Sequence, residues 1–140
     1  AMVARGAGAV INVSSLASFF PLPDGAVYAA TKAALRILSE GLFMTVGHRG
    51  VRVQALCPGF VYTDFHRRIG IADEERKNRG ILRWMHADRV VAVSLRSLAR
   101  GKAVCVPGFL NRVVRFAGAL VPRGLYYRLS SKLRHATDRR

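Results

Sequence analysis

Tyr28 and Lys32 lie four residues apart in an alanine-rich stretch. On a helix that spacing puts both side chains on one face, with Cβ atoms ~5–6 Å apart. A free tyrosine surrenders its proton only near pH ~10. A fixed ammonium beside it favours the phenolate and brings the hydroxyl toward neutrality. A tyrosine so placed can act as a general acid and base on an alcohol or carbonyl oxygen. Ser15 follows an apolar run, where its hydroxyl can polarise the same oxygen. The loop between them, Leu16 to Val27, carries Pro21, Pro23 and Gly25 and can fold back over such a site. Alone, Tyr-x-x-x-Lys is a weak signal. It equally describes an amphipathic helix edge with a lysine stem laid along it.

The elements that would position these groups can be read from periodicity. Residues 9–14 read as a short buried strand. Residues 27–47 read as a helix, with Ala29, Ala30, Ala33, Ala34, Leu35, Leu38, Leu42 and Phe43 at helical spacing. Residues 51–57 give a second strand stopped by Pro58-Gly59, and residues 103–106 a third stopped by Pro107-Gly108. Between them Asp88 is expected to cap a helix over about 88–100, and Asp73 to Lys77 could start a short one. Apolar strands alternating with helices imply parallel pairing with both sheet faces covered. In such sheets the ligand site lies off the carboxyl ends of the strands. That rule selects Ser14-Ser15, Pro58 to Thr63, and Pro107-Gly108.

Composition narrows the class. The 140 residues are 51% hydrophobic, enough for a globular core rather than a disordered chain. No apolar run reaches the ~18 residues of a membrane span, and the few residues before Gly6 are too short for a signal peptide. A soluble intracellular protein is expected. Cys57 and Cys105 sit in strand-like runs and read as free buried thiols. His48, His66, His86 and His135 show no ligand spacing, so no metal site is expected. The net charge of +15 rests mainly on arginines scattered along the chain. No recognition motif organises them before residue 110, so a solvated basic surface is favoured over nucleic-acid binding. Asn12-Val13-Ser14 fits a glycosylation acceptor, but its place in a buried strand argues against modification.

Three segments together carry a resemblance. Ile-Asn-Val-Ser-Ser-Leu-Ala-Ser (11–18), Tyr28-Ala-Ala-Thr-Lys32-Ala-Ala-Leu, and the run from Val51 through Pro58-Gly59 to Asp64 stand in order and at matching spacing. They resemble the short-chain dehydrogenase/reductase family over about residues 5–110. The serine thirteen residues before the tyrosine selects Ser15 over Ser14. The resemblance implies that Tyr28 is the proton donor and acceptor. It implies that Lys32 bonds the nicotinamide ribose and that Ser15 holds the substrate oxygen. Pro58, Gly59, Val61 and Thr63 match the segment lying along the nicotinamide and its amide. The implied reaction is hydride transfer between NAD or NADP and a small carbonyl or alcohol. The implied setting is cytoplasmic, with a homo-oligomeric parent enzyme.

The expected architecture is α/β: the carboxy-terminal half of a doubly wound, Rossmann-type parallel sheet over residues 1–110, three strands with helices. A basic amphipathic helical extension over 111–140 follows. The family's Gly-rich pyrophosphate turn, its Asn-Ala-Gly stretch and its catalytic asparagine match nothing here. Gly6-Ala7-Gly8 precedes a strand, whereas the dinucleotide fingerprint follows one. The chain therefore reads as a fragment lacking the cofactor-binding half, with an exposed edge on strand 9–14. The alternative is a non-catalytic half-fold acting as a basic interaction or membrane-surface module. Phe60, Tyr62, Phe65, Ile69, Ile71, Trp84 and Met85 flank the substrate loop and could line a pocket for a lipophilic ketone. Core packing would use them equally well. Beyond residue 110, Val113, Val114, Phe116 and Leu120 alternate with Arg112 and Arg115. After Pro122, Leu125, Leu129 and Leu133 recur beside Arg123, Arg128, Lys132 and Arg134. Two short basic helices are expected there. Docking on an anionic membrane surface competes with packing on the domain or a sister subunit, and both rank above nucleic acid.

Overall fold

Valine and isoleucine crowd the runs 8–13 and 51–56, and their stiff branched side chains favour a pleated backbone. The structure, a computed structural model, describes residues 1–64 and 83–137, with side chains through residue 131. In chain order the elements are α1 (Met2–Arg5), β1 (Gly8–Val13), a 3-10 turn (Leu16–Phe19), α2 (Ala26–Val46), a second 3-10 turn (Gly47–Arg49) and β2 (Val51–Leu56). Then follow β3 (Val61–Tyr62), β4 (Met85–His86), α3 (Ala87–Ala99), β5 (Val104–Cys105), α4 (Phe109–Leu120) and α5 (Arg123–Thr137).

Three strands form one parallel sheet in the order β1-β2-β5. β1 meets β2 from Gly8 opposite Val51 to Val13 opposite Leu56. β2 meets β5 at Ala55 opposite Val104 and Leu56 opposite Cys105. The doubly wound α/β half expected from the sequence is the one observed. β2 is the central strand, and only Arg52 of its six residues is exposed. On one face Leu56 packs with Val61, Val90 and Cys105. On the other, Ala55, Cys57 and Val106 pack with Leu16 and Phe19. Gln54 is fully buried in the middle of β2, where an unpaired amide would cost several kcal/mol, on the order of 2 or more. Its Oε1 accepts from Ser94 Oγ at 2.7 Å, and its Nε2 donates to the Lys102 carbonyl at 3.2 Å.

Several expectations need adjustment. Asp88 does not cap α3. His86 holds the cap position, and Asp88 lies in the first turn, where its charge complements the helix dipole. Leu38 and Leu42 of α2 face solvent, because α2 meets the sheet through smaller groups. Ser39, fully buried, donates from Oγ to the Leu35 carbonyl at 2.7 Å and accepts from Asn12 Nδ2 at 2.9 Å. The small parallel pair β3–β4 was not anticipated. Gly6 ends α1 in a left-handed conformation and turns the chain into β1. The expected helix start at Asp73 to Lys77, and Phe65, Ile69 and Ile71, lie outside the described residues, as do the side chains of Lys132, Leu133 and Arg134.

α4 and α5 lean on the 3-10 turn Leu16–Phe19 and the loop after it. A Cβ at Gly118 would overlap the Phe20 ring. The Arg115 guanidinium lies 4.7 Å from the Phe19 ring centroid, and Arg36 lies 4.6 Å from the same centroid. Phe19 thus contacts one cation from α4 and one from α2. Tyr126 of α5 donates from its hydroxyl to the Pro21 carbonyl at 2.7 Å.

Two outcomes follow from this packing. Gly50 has φ 76°, and a Cβ there would overlap the Gly6 carbonyl. Left-handed strain and backbone overlap together should make Gly50→Ala cost about 2–4 kcal/mol, read from urea denaturation. A loss within experimental error would show that the α1–β1 turn yields freely. Burial pushes the Cys57 thiol up, against the Ser18 and Ser14 hydrogen bonds and the Arg36 and Arg115 charges; burial likewise raises Cys105. Since the thiolate is the reactive form, an aromatic disulfide reagent should label the folded chain at least ~100-fold more slowly than free cysteine. Full labelling should follow denaturation. The sign for stability is fixed as well. The folded chain keeps these protons where the unfolded chain sheds them, so stability should fall as pH rises through the ordinary thiol range, ~8.5 and above.

Candidate active site

The carboxyl end of β1 is joined to α2 by two reciprocal hydrogen bonds. Lys32 Nζ donates to the Val13 carbonyl at 2.9 Å, and Ser14 Oγ donates to the Lys32 carbonyl at 2.7 Å. The Ser14 amide also donates to the Leu56 carbonyl at 2.7 Å, completing the β1–β2 ladder. Both ends of Lys32 are therefore fixed to the strand terminus. Tyr28 lies one helical turn earlier, with Lys32 Nζ 5.8 Å from its ring centroid. Tyr28 keeps 37% of its surface exposed, enough for another molecule to reach it.

Ser15 leaves β1 in an extended conformation and caps the 3-10 turn. Its Oγ accepts from the Ala17 amide at 3.1 Å. That bond uses one acceptor site and leaves the hydroxyl proton available to donate. The neighbouring Leu16 amide donates to the Pro58 carbonyl at 2.8 Å, tying the loop after β1 to the loop after β2. The structure thus brings Ser15, Lys32 and Pro58 to one sheet edge, with Tyr28 on the adjoining helix. Ser14, the serine that the spacing rejected, is buried and spends its hydroxyl on α2.

Val61 and Thr63 sit further along. The Val61 side chain is buried in the core beside Leu56, and Val61 pairs with Met85 in the β3–β4 ladder. Thr63 is exposed, with Oγ1 3.5 Å from the Val61 carbonyl. Gly59 abuts a residue that the sequence did not flag. Asn111 of α4 is buried, packs against Gly59 and donates from Nδ2 to the Pro107 carbonyl at 2.7 Å. It links the loops after β2 and β5. An asparagine three residues after Pro107-Gly108 was its one signal. Of the aromatic residues named for a pocket, Trp84 stacks on Phe60 at 4.9 Å and on Tyr62 at 5.3 Å, and Tyr62 reaches His86 at 5.1 Å. They form a stack beside the loop after β2.

One sheet edge therefore presents a serine hydroxyl and an anchored ammonium, with an exposed phenol one helical turn from that ammonium. Groups of this kind can exchange a proton with, and hydrogen-bond to, a substrate oxygen. Comparison with known proteins identifies the family. A family model described as short chain dehydrogenase matches residues 1–74. The uncharacterised oxidoreductase YgfF of Escherichia coli (strain K12) is 38% identical over 105 residues, covering 72% of this chain and 42% of YgfF. A solved short-chain dehydrogenase from Sphingobium yanoikuyae, in complex with NADPH, superposes with TM-score 0.68 at 30% identity, covering 84% of this chain and 45% of that one. A gluconate 5-dehydrogenase from Burkholderia cenocepacia J2315, in complex with NADP and tartrate, superposes with TM-score 0.62 at 27% identity, covering 75% and 45%. This chain spans less than half the length of each of these relatives. On the match over residues 1–74 and the shared parallel α/β half, the chain belongs to the short-chain dehydrogenase family.

Proposed function

We propose that residues 1–110 form the catalytic half of an oxidoreductase that moves hydride between a nicotinamide dinucleotide, NAD or NADP, and a carbonyl or alcohol carbon. The observation that carries this reading is Lys32, fixed to the carboxyl end of β1 one helical turn from Tyr28, with Ser15 on the adjoining turn. The NADPH and NADP held by the two solved relatives support the cofactor class.

In the reducing direction Tyr28 donates its phenolic proton to the substrate oxygen. Ser15 donates a hydrogen bond to the same oxygen and holds the carbonyl in place. The Lys32 ammonium stabilises the phenolate left behind and uses a remaining proton to bond the nicotinamide ribose. Water then returns a proton to Tyr28. The bound cofactor supplies the hydride in this direction and accepts it in the other. Pro58, Gly59, Val61 and Thr63 would run along the nicotinamide and its amide, mainly through backbone, since the Val61 side chain is committed to the core. The Phe60–Trp84–Tyr62 stack beside that loop favours a lipophilic carbonyl substrate.

A dinucleotide in this fold class lies across a crevice between two halves of the sheet. The chain spans less than half the length of the relatives it matches, 42% of YgfF and 45% of the NADPH-bound dehydrogenase, so we infer that catalysis requires the complementary half. Binding energy from the adenine end positions the reacting carbon, and a misplacement of ~1 Å already costs ~100-fold in rate. The 140-residue chain alone should show no ketone-dependent oxidation of NADH or NADPH, followed by absorbance of the reduced nicotinamide. Fusion to the amino-terminal half of a family member should restore it. Tyr28→Phe in the fusion should lower kcat by about 100- to 10,000-fold. Turnover by the chain alone would overturn the half-site reading, and full activity with phenylalanine at 28 would remove the tyrosine from the mechanism.

A further inference from the structure

α4 is amphipathic in an unexpected sense. Its inward side carries Asn111, Arg115 and Gly118, which pack on Gly59, Phe19 and Phe20, and the half-buried Val114. Its opposite side carries Phe109, Val113, Phe116 and Leu120, exposed by 71%, 43%, 62% and 83%. At ~100° per residue these four fall within an arc of roughly 60°, a single apolar stripe along the helix. α5 repeats the arrangement. Tyr126 is tethered to Pro21, while Leu125 and Leu129, each 50% exposed, stand one turn apart toward solvent. Both helices are thus held by their inner sides with apolar groups facing out.

The charges around the stripe are of one sign. Arg112 lies beside it on α4, and exposed Arg123 and Arg128 continue along α5. Phe109 shares a groove with Arg83, Arg89 and Arg112. No acidic residue occurs in the sequence between Asp88 and Asp138.

We propose that α4 and α5 dock this chain on an anionic bilayer surface, the stripe entering the acyl boundary and the arginines meeting lipid phosphates. Exposed apolar residues rimmed by cations match that boundary in both polarity and charge. A second copy is a poorer occupant, since a two-fold interface would set one basic rim against the other. Nucleic acid would use the arginines and leave the apolar stripe without a partner. Among the described residues no helix is long and apolar enough to cross a membrane, so the contact is with the surface.

The test is sedimentation of the chain with phosphatidylcholine vesicles, with and without phosphatidylglycerol. Binding should require the anionic lipid and weaken with salt. Phe116→Glu and Leu120→Glu lie on solvent-facing positions and should abolish it with the far-ultraviolet spectrum unchanged. Arg112→Gln, Arg123→Gln and Arg128→Gln should each weaken binding roughly fivefold. Amide exchange on the unaltered chain needs no variant and should slow over 109–131 when anionic vesicles are added. Equal binding to neutral vesicles, binding that survives both glutamate variants, or no vesicle binding would overturn the proposal. So would a stripe that controls only self-association, read by analytical ultracentrifugation.

Discussion

The pair of hydrogen bonds between Val13-Ser14 and Lys32 is the constraint on which the site depends. A helix packed on a sheet by apolar contact alone can slide by fractions of a residue with little loss, since the hydrophobic effect has no direction. Here the strand end reads the helix register twice, once through the lysine head and once through its own carbonyl oxygen. The lysine backbone carbonyl already has a partner within the helix, so the serine takes up its second lone pair. The Ser14 bond is partly buried and faces less competition from water, whereas the lysine head group bonds at an exposed position. The two bonds set where Tyr28 stands relative to the turn that Ser15 caps.

That register is passed outward through shared polar partners more than through bulk. Asn12 meets Ser39 on the α2 side of the sheet, and Gln54 meets Ser94 on the α3 side. Each pairs a strand amide with a helix hydroxyl, so both helices are located by a directional bond as well as by contact. The loops at the carboxyl edge are tied in turn by the Leu16–Pro58 bond and by Asn111. The edge where a ligand would lie is therefore firmly built, although most of its segments are loops.

Much of this was legible in the sequence. Apolar runs rich in branched residues gave three strands, two of them stopped by Pro-Gly, and their alternation with helices gave parallel pairing. The placement of Tyr28 and Lys32 on one helix and of Ser15 at a strand end was legible through spacing, since these are local facts. What was hidden depends on contacts distant in sequence. Ser39, Gln54, Ser94 and Asn111 look like ordinary polar residues until partners distant in sequence arrive, 27 positions away for Ser39, 40 for Ser94 and 48 for the Lys102 carbonyl on Gln54, with Gly59 against Asn111. The helical period of α2 located its sheet-facing side imperfectly, because small residues and Ser39 make the contact while Leu38 and Leu42 turn outward. In α4 the same period is present, but with the apolar side away from the domain. Periodicity reveals that a stripe exists and not what covers it.

The aromatic stack beside the loop after β2 has an optical consequence. Trp84 is the chain's one tryptophan, and it lies against Phe60 and Tyr62 beside the Pro58 to Thr63 segment. Tyrosine near an indole transfers excitation to it, and the indole emission shifts with the polarity around the ring. The protein thus carries a built-in fluorophore at the rim of the site. Within these 140 residues its emission reports on that loop, undiluted by signal from another indole.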